Sequence, residues 1–303
     1  MTIAAPILVV GKSGQLARCL FEAAGRRNIP LIVAGRPDVD IEQLESIDRA
    51  LTTFCPGIII NAAAYTAVDK AEAEPERCYA VNHAGARQLA EAASRRNVPL
   101  IHVSTDYVFD GQKPSPYSEE DPTAPLGVYG RSKLEGDQAV LAEHPKALIL
   151  RTSWVYSVYG SNFVTTMLRL AQSQPSLRVV DDQIGCPTSA HDLAAALLDI
   201  STELLGGEGR HLAGIYHLSG TGQTTWYRLA AEIFASAKAR GQQEPDLVAI
   251  KTADYPTRAR RPPNSVLNCT KVDQTFGVKL PPWQTSVTTC INRLLKKEEL
   301  QRC

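Results

Sequence analysis

The sequence predicts a doubly wound α/β fold, in which a parallel sheet is covered by helices on both faces and joined to a smaller, mixed α/β C-terminal domain. Three observations carry this. The first half holds five short apolar runs separated by stretches with helical spacing. The runs are continuously apolar rather than alternating, as strands buried on both faces must be. A glycine-rich turn directly follows the first run, where a βα turn belongs.

The elements follow in order. Pro6–Val10 is the first run, and Leu16 to Arg27 has helical spacing. Pro30–Ala34 is the second run, with Ile41 to Phe54 as its helix. Ile58–Ile60 is the third. Pro75 to Asn97 reads as one long helix, with Pro75 suited to its first turn and Asn97 to its end. Pro99–Val103 and Ala147–Leu150 are the fourth and fifth runs. Beyond them, Leu177–Val180 and Gly214–Leu218 read as strands, Ser189–Leu205 and Thr225–Arg240 as helices, and Thr257–Asn264 as a loop. A chain of 303 residues allows about two domains. The expected division is 1–155 and 156–303, with about 175–200 returning to the first.

Lys and Arg total 32, as do Asp and Glu, for a net charge of +0. A general binder of nucleic acid or of membrane surfaces would need a basic excess. Neutrality leaves room for a local anion site. The seven cysteines, Cys19, Cys55, Cys78, Cys186, Cys269, Cys290 and Cys303, include no C-x-x-C pair. Neither a disulfide framework nor a zinc site is signalled, and a reducing cytoplasm is expected. The apolar run from Ile3 to Val10 is too short to span a bilayer and lacks the flanks of a secretory signal.

Gly11-Lys-Ser13-Gly14-Gln15-Leu16-Ala17 is G-x-x-G-x-x-A at the start of a helix. Glycines let backbone approach a diphosphate, and a helix N-terminus offers free N–H groups and a positive dipole end. In this Rossmann-like setting the turn points to a dinucleotide, against the plainer reading of a tight βα turn. The second run ends Ala34-Gly35-Arg36, without the acid that usually selects NAD. Arg36 suits a 2′-phosphate, so NADPH is favoured, although NADH is possible and a surface arginine is an equal reading. Asp40-Ile41 is placed to flank the adenine. The small residues Ala62, Ala63 and Ala64 after the third run permit close approach of the cofactor, or of a helix.

The fourth run ends Ser104-Thr105-Asp106-Tyr107, and Tyr129-Gly-Arg-Ser-Lys133 opens the next helix. Y-x-x-x-K arises readily by chance, but here it falls where i and i+4 share a helix face beside the strand ends. A phenol titrates near 10 and is a poor acid–base group at neutral pH. A neighbouring ammonium is expected to lower that value, making Tyr129 a proton donor to a carbonyl oxygen that receives hydride. Thr105 is placed to hydrogen-bond the same oxygen.

These motifs resemble the extended short-chain dehydrogenase/reductases and, within them, the dTDP-4-dehydrorhamnose reductase family. The likeness runs through Asn61–Glu72, Ser104–Gly111, Arg151–Tyr156, Asp182–Thr188, Tyr255–Pro262 and Asn264–Leu267. It implies NAD(P)H-dependent reduction of the 4-keto group of a deoxysugar nucleotide, dTDP-4-dehydro-L-rhamnose, to dTDP-L-rhamnose. It implies Tyr129, Lys133 and Thr105 as catalytic residues, with Lys133 also on the nicotinamide ribose. Gly14, Gln15, Leu16, Asp40, Ile41, Ala64, Tyr65 and Thr66 would contact the dinucleotide. Thr105, Asp106, Tyr107, Trp154 and Asn162 would contact the sugar nucleotide. The cluster Arg258, Arg260, Arg261 suits its diphosphate, because guanidinium forks match phosphate oxygens.

Two departures stand out. Ala17 replaces the family's third glycine. Carboxylates that link some members into metal-bridged dimers would align near Cys19 and His191, neither of which is an acid, so no metal is expected and His191 reads as a helix-start residue. A monomer or homodimer is expected. Dehydratases of the superfamily carry an Asp-Glu pair where Asp106-Tyr107 stands, which argues against water elimination. Epimerisation is the nearer rival. A non-catalytic partner resembling the methionine adenosyltransferase β subunit is another.

Overall fold

The computed structural model describes residues 5–206 and 212–302, with side chains described to residue 296. Ile3, at the start of the stretch read against a membrane span, and Cys303 lie outside the described residues. The first half builds β1 (Ile7–Val10), α1 (Gln15–Arg27), β2 (Leu31–Ala34), α2 (Leu44–Phe54), β3 (Ile58–Asn61), α3 (Val68–Ala71), α4 (Pro75–Tyr79), α5 (Ala86–Arg95), β4 (Leu100–Thr105), α6 (Val128–Glu143) and β5 (Leu148–Thr152). The second half builds β6 (Val155–Tyr156), α7 (Phe163–Ala171), β7 (Ser176–Val180), β8 (Ile184–Gly185), β9 (Thr188–Ser189), α8 (Ala190–Leu205), β10 (Gly214–His217), β11 (Thr224–Thr225), α9 (Trp226–Lys238), β12 (Asp246–Ile250), α10 (Thr270–Phe276) and α11 (Trp283–Arg302).

Six strands form one parallel sheet in the order β10-β5-β4-β3-β1-β2, as the continuous apolar runs require. On one face, α1 and α8 pack against the sheet through Leu16, Leu20, Leu193 and Leu197. On the other, α2, α5 and α6 bury Ile47, Leu89 and Val140. The chain re-enters this layer at α8 and β10, whereas β7 pairs with β12 in a separate two-stranded sheet. A third core, with Val164, Phe234 and Ile291, joins α7, α9 and α11.

Two helices differ from the sequence reading. The second starts at Leu44 rather than Ile41, because Val39 and Ile41 are drawn into the core and the chain turns at Ile41, with Gln43 N–H bonding Asp40 O at 3.0 Å. The expected helix from Pro75 to Asn97 widens into a π-helical turn at Ala80–Gly85 and ends at Arg95, with Asn97 left-handed at φ 52°. Asn82 explains the widening. Its buried amide accepts from Tyr65 N–H at 2.8 Å and donates to Tyr65 O at 3.1 Å, clamping the loop after β3. Opposite, a Cβ on Gly136 of α6 would lie 2.1 Å from Asn82 O, so only glycine admits this approach. Such π-turns gather at functional sites.

Candidate active site

In a doubly wound sheet, ligands bind at the carboxyl ends of the strands where the strand order reverses. Here that is between β1 and β3, and a cleft of about 420 Å³ opens there. Its walls include Gly11, Ser13 and Gly14 after β1, Arg36, Asp40 and Ile41 after β2, and Ala62, Ala63, Ala64 and Tyr65 after β3. Gly11 has φ 123°, and a Cβ on it would fall 2.8 Å from Ala63 N. The turn closes through Gly14 N–H to Gly11 O at 3.0 Å, leaving the start of α1 facing the cleft. This cradle, kept open by the missing Cβ, fits a dinucleotide diphosphate.

Three expected contacts lie elsewhere. Gln15 points away, donating to Val155 O at 3.1 Å and accepting from Ser157 Oγ at 3.1 Å. Leu16 is buried against the sheet. Thr66 is exposed and outside the cleft walls. Arg36 reaches the cleft mouth but is spent on carboxylates: it grips Asp40 through two hydrogen bonds of 2.8 and 3.0 Å, and also Glu42. This pairing holds the Asp40 carboxyl below its usual range. Lys12, Glu42, Arg77 and Val81 also line the cleft, and the sequence reading missed them. Lys12 stood inside the glycine turn and was legible. Arg77 reaches Glu42 at 2.6 Å only through the fold.

One strand further on, β4 delivers Thr105 and α6 delivers Tyr129. The first amide of α6, Val128 N–H, is capped by Glu72 Oε1 at 2.7 Å, which seats Tyr129 at the strand ends. The phenol packs edge-on to Tyr107, with ring centroids 5.6 Å apart. Burial pushes the Tyr129 phenol well above its ordinary value, with the adjacent Thr105 hydroxyl working against that rise. Lys133 is not among the groups that set this value. Its buried Nζ donates to Val103 O at 2.7 Å and lies 3.1 Å from His102 Nε2, and burial pulls it down to about 8. The ammonium expected beside the phenol is instead turned towards the strand, because in a dry pocket the amine takes the nearest hydrogen-bond partners.

Behind Lys133 lies a buried polar chain that the sequence reading also missed: Asn61, His102, Ser104, Asp137 and Arg151. Its signals were a histidine interrupting the fourth apolar run and an acid one helical turn past Lys133. Asp106, at the end of β4, is buried, and desolvation pushes its carboxyl up to about 7. Its Oδ1 accepts from Thr105 Oγ1 at 3.1 Å, the Ser265 hydroxyl also works against the rise, and Oδ2 has no partner at hydrogen-bond geometry.

The substrate-side candidates are dispersed. Trp154, at φ 45°, stacks one face on Trp226 at 3.4 Å, and a Cβ on Gly185 would strike its ring at 2.3 Å. Asn162 is occupied as the N-cap of α7: its Oδ1 accepts from Thr165 N–H at 3.1 Å, and its Nδ2 donates to Ser157 O at 2.8 Å. Its place in the structure is therefore a helix cap. Arg261 bridges to Asp69 at 2.6 and 3.3 Å, which docks the 257–264 loop onto α3. Arg258 and Arg260 are exposed on that loop. Near Cys19, Glu22 is held by Arg26 and Arg293, by the Tyr159 hydroxyl and by His191 at the start of α8. Among the described residues no group of three or more His, Cys, Asp or Glu is arranged to hold a metal.

Residues 5–296 match the family described as RmlD substrate binding domain. The chain is 48% identical to a dTDP-4-dehydrorhamnose reductase of Sinorhizobium fredii over 289 residues, covering 95% of this chain and 97% of that one. A dTDP-4-dehydrorhamnose reductase structure from Bacillus anthracis, in complex with NADP, superposes with a TM-score of 0.88 at 33% identity, covering 96% of this chain and 100% of that one. One from Clostridium acetobutylicum also gives 0.88, at 34% identity, with 96% and 99% covered.

Proposed function

Because the chain belongs to the RmlD substrate-binding-domain family, we propose that it is a nicotinamide-dependent reductase converting dTDP-4-dehydro-L-rhamnose to dTDP-L-rhamnose. The observation that carries this reading is the meeting of Thr105 with the Tyr129 phenol at the end of β4, beside the glycine cradle. A bound nicotinamide supplies hydride to C4 of the sugar. The protein's part is to deliver a proton to O4.

Tyr129 suits that part. Its raised value keeps the phenol protonated at neutral pH, as a donor must be. Thr105 shares the same oxygen and orients it. As O4 gains negative charge, the O–H bond of Tyr129 breaks and its proton moves to O4, leaving a phenolate that the Lys133 ammonium stabilises. Asp106, with its unpartnered Oδ2, is placed to accept from a sugar hydroxyl. Arg258 and Arg260, exposed on the 257–264 loop, are the side chains offered to the diphosphate. Residues 1–155, with α8 and β10 added, form the cofactor lobe, and most of 156–303 forms the sugar-nucleotide lobe.

NADPH is the favoured cofactor. The support is the absence of an acid directly after β2 and the three cations Lys12, Arg36 and Arg77 at the cleft. The 2′-phosphate would draw Arg36 from Asp40. All six described cysteines are free thiols, which supports action in the reducing cytoplasm.

The test is a coupled assay at 340 nm with dTDP-4-dehydro-L-rhamnose, NADPH and NADH side by side. We expect consumption of NADPH only when the sugar nucleotide is present, and loss of turnover in Tyr129→Phe with cofactor binding nearly intact. No consumption with that substrate would overturn the activity. Wild-type rates in Tyr129→Phe would overturn the role of the phenol.

A further inference from the structure

The polar chain behind Lys133 admits one placement of protons, and that placement says how the lysine rests before cofactor arrives. Asn61 ends β3, and its Oδ1 accepts from Ala63 N–H at 3.1 Å, which fixes the orientation of the amide. The Asn61 Nδ2 then faces His102 Nδ1 at 3.0 Å. An amide nitrogen only donates, so His102 Nδ1 accepts and is bare. His102 is fully buried, and burial keeps its ring neutral, so the single ring proton sits on Nε2.

Nε2 faces Lys133 Nζ at 3.1 Å. Asp137 Oδ1 is 3.8 Å from Nε2, beyond hydrogen-bond reach. An ammonium has no lone pair and would meet the Nε2–H proton to proton. A free amine satisfies every contact: its lone pair accepts from His102 Nε2–H, and one of its own N–H groups donates to Val103 O at 2.7 Å. Turning the Asn61 amide over does not rescue the ammonium, because its NH₂ would then face the Ala63 N–H.

Burial, which disfavours the ammonium, outweighs the one nearby charge that favours it, that of Asp137 on the same helix. Asp137 Oδ2 accepts from Arg151 Nε of β5 at 3.3 Å and from Ser104 Oγ of β4 at 2.8 Å, while its Oδ1 has no hydrogen-bond partner. From α4 the neighbour is the Cys78 thiol, which burial holds protonated. Among the described residues no carboxylate lies within ion-pair distance of Nζ, and an unpaired buried ammonium is costly.

We propose that, without cofactor and at alkaline pH, Lys133 is parked as a free amine on His102, in the ring tautomer that Asn61 sets, and that it takes up a proton from solvent when it swings to the cofactor ribose and the Tyr129 phenol. Asn61 and His102 are positioning residues in this scheme, which rests on the reductase reading above. Cofactor binding is then coupled to proton uptake. The bound state holds the extra proton, so affinity weakens as pH rises above about 8, by up to tenfold per pH unit.

The test is calorimetric titration of the protein with NADP⁺ at pH 8 and pH 9, each in phosphate and in Tris. The two buffers differ in ionisation heat, so the comparison counts protons. Lys133→Met, titrated alongside, subtracts the ionisation of the cofactor's own phosphate. We expect uptake of about half a proton at pH 8, rising towards one at pH 9. In Asn61→Asp, both carboxylate oxygens accept, so His102 takes the opposite tautomer, its bare Nε2 receives an ammonium, and the uptake disappears. Nitrogen NMR of histidine-labelled, cofactor-free protein reads the tautomer directly, with His102 Nδ1 expected bare and Nε2 protonated.

Binding without proton uptake at pH 9, wild-type uptake in Asn61→Asp, or a protonated Nδ1 would each overturn the proposal. An absence of any binding heat would count instead against the cofactor reading, and the NMR measurement would still decide this one.

Discussion

Asp106→Asn should make the protein more stable at alkaline pH, and by an amount the structure sets. The carboxyl is 2% exposed, and burial moves it from 3.8 to about 7. At roughly 1.36 kcal/mol per pH unit, ionising it inside the fold costs about 4 kcal/mol more than ionising it in the unfolded chain. The folded state therefore holds a proton that the unfolded state releases between about pH 4 and 7. Stability falls as pH rises through that window and levels off above it, with the full cost of about 4 kcal/mol then in force. Asparagine keeps the shape and cannot ionise. Any penalty from placing its NH₂ where Oδ2 now lacks a partner applies at every pH, so the change with pH is the quantity to read. Urea unfolding of both proteins should show the variant gaining roughly 3 kcal/mol relative to wild type between pH 5 and pH 8. The same substitution replaces the buried, unpartnered Oδ2 that is proposed to meet a sugar hydroxyl, so KM for the sugar nucleotide should rise. A stability gap that is equal at the two pH values would refute the reasoning, because Asp106 would then not be held protonated by burial.

Further outcomes can be checked alongside. Gly11→Ala puts a Cβ 2.8 Å from Ala63 N at a φ of 123°, so titration with NADPH should show at least tenfold weaker binding. Asn162→Ala removes the cap of α7 and should cost about 1 kcal/mol in urea unfolding while leaving KM for the sugar nucleotide unchanged. A selective rise in KM would restore Asn162 to the substrate site. The Glu22 carboxyl is held at about 2, against 4.5 ordinarily, by Arg293 and Tyr159. The stability it contributes is present above about pH 4.5 and is lost as pH falls towards 2. Glu22→Gln should therefore cost up to roughly 3 kcal/mol at pH 6, and its acid unfolding curve should merge with that of the wild type near pH 2.

Much of the architecture was legible because each strand is a local apolar run and each helix a local period. The glycine turn and the Tyr129–Lys133 pair were legible for the same reason, as short spacings whose geometry one turn or one helix face dictates. The expected helix from Pro75 to Asn97 missed its π-turn because Asn82 is drawn by Tyr65, 17 residues earlier in the chain. Arg36 read as a free cation because its partners Asp40 and Glu42 become neighbours only when the loop after β2 folds back. Trp154 was expected to contact the sugar nucleotide, yet one side of its ring is covered by Trp226, 72 positions away.

What the sequence by itself determined is the doubly wound sheet, the glycine cradle and the roster of candidate groups, since these depend on neighbours within a few residues. Only the tertiary structure decided what each group meets. It caps α7 with Asn162, docks Arg261 on Asp69, and turns Lys133 away from the phenol onto His102 and the Val103 carbonyl. Proton placement follows from such contacts, because a buried polar atom takes its state from the donors and acceptors that the fold brings within 3 Å or so of it.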